Sequence, residues 1–165
     1  MSLHFGLRGL QMNSSIIRPD APNFRLQSWP PSADSPVVVD ENGDIRSRFG
    51  DTIWDIGPWA GSASSLNFGD GLTRGAQLCK ANADLLRLVA ALWLWGPNSS
   101  RTPGGLVNRF QQLRPVFADC TKSGIVASEL WRFPKVIEQI SIRASKQSGP
   151  ALFALLRDIW TYRKI

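Results

Sequence analysis

The sequence predicts a mainly α protein: a four-helix bundle preceded by an extended arm that carries a small β-hairpin. Six of the 11 prolines fall between Ile16 and Trp59, and apolar residues recur at helical spacing from Thr73 onward. Charge follows the same division. Residues 1–70 hold five arginines against eight acids, a net charge of −3, whereas residues 71–165 hold 14 basic against five acidic residues, a net charge of +9. An acidic, Pro- and Trp-rich arm over 1–72 thus precedes a basic helical body over 73–165.

In the arm, Pro19, Pro22, Pro30, Pro31, Pro36 and Pro58 each fix their own φ and bias the preceding residue away from helix, so no long helix fits. Val37, Val38 and Val39 favour a strand. The Asn42-Gly43 pair after them readily supplies the two positive φ angles of a tight turn, which places a hairpin near 37–48. Ser47 to Trp59 mixes aromatics with Gly, Pro and Asp, the composition of an ordered segment pinned onto something else, and Trp54 and Trp59 are expected to glue the arm to the bundle. Gly69, Gly71 and Gly75 then mark a turn.

In the body, Leu85, Leu88, Val89, Leu92 and Trp93 share one arc with Leu78 at 100° per residue, with Lys80 and Arg87 opposite. That pattern predicts a first helix from Thr73 to Gly96-Pro97. A second starts with Thr102 as N-cap and Pro103 at the first helical position, and its core face reads Leu106, Phe110, Leu113, Phe117 and Cys120. Pro115 is expected to kink or divide it, and Gly124 to end it. A short turn around Ser128–Trp131 follows. Pro134 opens a third helix with Val136, Ile137 and Ile140, and Ser148-Gly149-Pro150 a fourth with Leu152, Leu155, Leu156, Ile159 and Trp160. Short connections make antiparallel packing the default.

Absences narrow the chemistry. Leu88–Trp95, the longest stretch free of polar residues and Gly, is too short to span a membrane, and the first residues lack the pattern of a secretory leader. Two cysteines exclude a disulfide framework and suit a reducing cytoplasm. Cys79 and Cys120 lie on or at the edge of apolar arcs and read as small buried hydrophobes. His4 is the single imidazole, so neither a zinc site nor a nucleophile with its base can be assembled. Asp51 and Asp55 flank Trp54 in positions suited to capping and turns. Gly69-Asp-Gly71 and Gly104-Gly105 lack the partners of a phosphate loop. No catalytic residue, metal or small-molecule cofactor is expected.

The basic surface remains. Lys80, Arg87, Arg101, Arg109, Lys122, Arg132, Lys135, Arg143 and Lys146 are the candidate contacts to a phosphate backbone, with Arg157 and Lys164 further along; the alternative for each is a solvated helix face. Arg109 and Arg143 project within apolar arcs, where a guanidinium must be ion-paired, snorkel outward or face a groove. Trp93, Trp131 and Trp160 follow the helical period as core residues, while Trp29 and Trp95 are candidates for base stacking.

The order Asp40-Glu-Asn-Gly-Asp44, Ser47-Arg-Phe-Gly-Asp51, Ile53-Trp-Asp-Ile56 and Leu66-Asn-Phe68, followed by Leu92-Trp-Leu-Trp95, resembles the N-terminal region of bacterial tyrosine recombinases of the phage integrase type. The resemblance spans roughly residues 37–165, and the helical part is similar to the family's SAM-like core-binding domain. Ser100-Arg-Thr-Pro103 leading into Asn108–Arg114 fits best. This resemblance implies a bundle that clasps one side of double-stranded DNA during integration and recombination, with self-association on DNA and a nucleoid-associated cytoplasmic location. It also implies a separate catalytic domain. No His-x-x-Arg motif occurs here, and Tyr162, the one tyrosine, lies in the last expected helix, so it is not assigned as a nucleophile. The expectation is a fragment or truncated product that binds DNA without cutting it. The competing expectation is a protein-interaction or oligomerisation module without nucleic-acid affinity, whose acidic arm docks on a partner or on the basic body of another copy.

Overall fold

The computed structural model describes residues 29–69, 76–95, 102–144 and Arg157. His4, Arg101, Lys146, Trp160, Tyr162, Lys164 and the start of the expected fourth helix lie outside these residues. The chain divides into two compact units, one joining residues 1–67 to 90–107 and the other joining 68–89 to 108–165.

The first unit holds the strands. β1 (Pro36–Val39) pairs antiparallel with β2 (Ile45–Arg48), as the valines and the Asn-Gly pair predict. The turn differs from expectation: Gly43 alone takes a positive φ, +83°, and no residue other than glycine does so among those described. Asp40 explains this. Its carboxylate accepts hydrogen bonds from the Asn42 and Asp44 amides at 2.9 and 3.0 Å, so the loop closes over Glu41, Asn42 and Gly43 as a wider turn with one left-handed residue.

A second antiparallel pair, not foreseen, joins β3 (Ile53–Asp55) to β4 (Ser65–Asn67) with Trp54 opposite Leu66. Between them lies α1 (Gly57–Ala60), one turn entered through Pro58 and closed by Gly61 at φ +70°. Trp54 and Trp59 are buried, and the Trp54 indole N–H donates to the Phe49 carbonyl at 3.3 Å. Asp51 and Asp55 fill the capping roles expected: Asp51 accepts from the Arg48 amide at 2.7 Å, Asp55 from the Gly57 amide at 2.9 Å.

Three helices cross or fill the second unit. α2 (Lys80–Trp95) and α3 (Pro103–Lys122) each pass from one unit into the other, and α4 (Pro134–Ala144) follows a 3-10 turn over Ala127–Arg132. The Thr102 hydroxyl accepts from the Gly105 amide at 3.1 Å, which makes the expected cap, and the five expected core residues of α3 are all buried. Pro115 does not divide α3. It lies on the exposed side, and the helix runs on to Lys122.

Gly124, at φ +69°, ends α3 in a Schellman motif: the Ile125 amide donates to Cys120 O at 2.8 Å and the Gly124 amide to Thr121 O at 3.0 Å, with Ile125 buried. The order of helices predicted from Thr102 to Ala144 is thus present. The four-helix bundle expected of the body includes residues outside those described.

Candidate nucleic-acid interface

α2 begins later than its apolar period suggests. Residues 76–79 are not helical, because their polar groups are taken from elsewhere. The Arg114 guanidinium donates to Ala76 O at 2.7 Å and Gly69 O at 2.8 Å, and the Cys79 amide donates to Thr121 Oγ1 at 3.2 Å. In a longer helix Ala76 O would instead accept from the Lys80 amide. Burial of Arg114 holds its pKa below the ordinary arginine value, and its two carbonyl partners position the chain.

Asn82, fully buried on the first turns of α2, organises the far end of α3. Its Nδ2 donates to Thr121 Oγ1 and to Ile125 O, both at 2.9 Å, and its Oδ1 accepts from the Ala127 amide at 2.8 Å. Three bonds thus fix the chain between the end of α3 and the start of the 3-10 turn. The basic residues that follow are presented from a held backbone.

The sequence candidates separate into three groups. Arg87 is withdrawn from the surface: its side chain is 11% exposed, it pairs with Asp84 at 2.9 Å, and its guanidinium lies 5.4 Å from the Phe68 ring centroid. The helical period places it opposite the core, but Phe68, which packs edge-on against Phe110 at 5.2 Å, covers that side. Lys80, Arg132 and Arg143 are well exposed and ion-paired, with Asp84, Glu129 and Asp119 respectively. Arg143 therefore meets the pairing requirement expected of it. Lys122 and Lys135 are exposed at the end of α3 and the start of α4, while Arg109 is only partly exposed.

The tryptophan assignments change as well. Trp95 is 5% exposed and cannot offer a face to a base, and Trp93 is core as expected. Trp131, expected in the core, is 49% exposed, with Phe133 at 39% beside it. Leu130, the preceding residue, turns inward in its place. The 3-10 geometry shifts the inward position away from the α-helical period.

Cys120 is buried, as expected, and its thiol is pushed up to about 12, first by burial and then by Asp119 and Cys79 nearby. Cys79, expected to be buried too, is exposed, because the chain there is not yet helical and the apolar arc does not reach it. No group of His, Cys, Asp and Glu able to hold a metal occurs among the described residues, and none of their helices is long and apolar enough to cross a membrane. Comparison with protein-family models, curated proteins and solved structures finds no significant match.

Proposed function

We propose that the chain binds double-stranded DNA through its helical region, as the core-binding part of a tyrosine recombinase, and contributes grip rather than bond breaking. The observation that carries this reading is the surplus of positive charge. From residue 71 onward the described residues include nine basic and four acidic side chains, an excess of five positive charges. Exposed ion pairs contribute only about 0–1 kcal/mol, so Arg132 and Arg143 can exchange a carboxylate for a phosphate at small cost. Lys122 and Lys135 stand exposed already.

Fluorescence anisotropy with a labelled duplex tests the reading. Affinity should fall steeply between low and moderate salt, because each phosphate neutralised by a basic side chain releases counterions. Lys122→Glu combined with Lys135→Glu should weaken binding and lower the salt slope by about one for each phosphate no longer neutralised, without unfolding the protein. Absence of binding at low salt overturns the proposal. A salt-sensitive dimer in sedimentation, without DNA affinity, would favour the interaction module instead.

A further inference from the structure

We infer that the turn between α3 and α4 is a stacking platform for unpaired bases, so that this protein grips single-stranded or locally opened DNA in addition to duplex. The inference rests on the DNA-binding reading and names the form of DNA that one part of the surface takes. Trp131 and Phe133 are exposed large hydrophobic side chains two positions apart, and their Cα atoms lie within about 7 Å of each other. Burial is the usual fate of such rings, since their apolar area favours leaving water. Two of them exposed within three residues give this turn an accessible aromatic surface.

The surroundings specify the chemistry of a partner for that surface. Arg132 stands between the two rings in sequence and Lys135 follows across Pro134. Glu129, the one acid from Thr121 to Lys135, is paired with Arg132 at 2.9 Å. Aromatic faces interleaved with cations match a polymer of π-faced bases on an anionic backbone, and stacking tolerates any base sequence. A lipid surface suits the segment less well: Lys135, Glu138 and Gln139 are exposed on the first turns of α4, which breaks the continuous apolar stripe that interfacial helices need. Asn82 adds preorganisation. By fixing Ile125 and Ala127 it holds the start of the turn, so little backbone order remains to be created on binding.

The experiment compares a labelled single-stranded oligothymidylate, a duplex of equal length and phosphatidylserine vesicles against the wild type, Trp131→Ala with Phe133→Ala, and Lys122→Glu with Lys135→Glu. The aromatic pair is expected to lose about tenfold or more in single-strand affinity, with a much smaller loss on duplex. Trp131→Phe should retain single-strand binding where Trp131→Leu, equally apolar, does not. Unchanged single-strand affinity in the aromatic variant, with weaker binding in the lysine variant, overturns the platform and leaves the duplex reading standing. Vesicle binding that depends on the two rings, without single-strand binding, overturns it in favour of a membrane surface. Failure of the wild type to bind either nucleic acid removes both readings.

Discussion

Two buried polar side chains, Ser47 in the strand-bearing unit and Asn82 in the helical one, perform comparable joining roles at very different range. The Ser47 hydroxyl accepts from the Asp55 amide at 2.7 Å, eight positions away, and the same neighbourhood is tied again by Arg46 to Asp55 at 3.2 Å. Asn82 reaches partners 39, 43 and 45 positions away, where no strand ladder duplicates its bonds. A local joint has substitutes close by. The distant one shares Thr121 Oγ1 with the Cys79 amide, but its bonds to the Ile125 carbonyl and the Ala127 amide rest on one side chain, so the helical unit concentrates in a single amide what the strand unit spreads over several groups.

Asn82→Ala should therefore carry the largest penalty, about 3 kcal/mol in urea unfolding, because the Ala127 amide and the Ile125 carbonyl are left buried without their partner. A loss below about 1 kcal/mol would mean that water or a backbone shift replaces the amide. Ser47→Ala should cost less, about 1 kcal/mol, since partly exposed Asp55 can draw on solvent. Were the two losses equal, range would not be what distinguishes the joints.

The smallest effect sharpens the comparison within the helical unit. In native protein at pH 8, Cys79 should react with a thiol reagent while Cys120 reacts only on unfolding. The Cys120 thiol keeps its proton up to about pH 12 when folded, but loses it near its ordinary 9.0 when unfolded. Above about pH 9 the folded state therefore binds more protons than the unfolded, and stability falls as pH rises toward 12. Cys120→Ser should leave a different slope in that window. An unchanged slope would show that other groups set the alkaline limit.

Local chemistry was legible where one residue type decides the backbone. Val37–Val39 with Gly43, Thr102 with Pro103, Gly124, and Pro134 each mark an element boundary that the structure keeps. The pairing of β3 with β4 was not legible, because strands of three residues are too short to display a period of two. The roles of Asn82 and Arg114 were hidden for a related reason: their partners lie 38 to 45 positions away, and polar residues on helices ordinarily face water. Of the candidate residues, Lys122 and Lys135 are exposed, whereas Arg87 is drawn in by Phe68, a tertiary neighbour that helical periodicity alone does not reveal.

Arg114 has a consequence for how the chain can change length. With Gly69 O and Ala76 O held on one guanidinium, the two ends of the intervening segment are anchored independently of what joins them. A few residues added between Gly69 and Ala76 should therefore leave the start of α2 at Lys80.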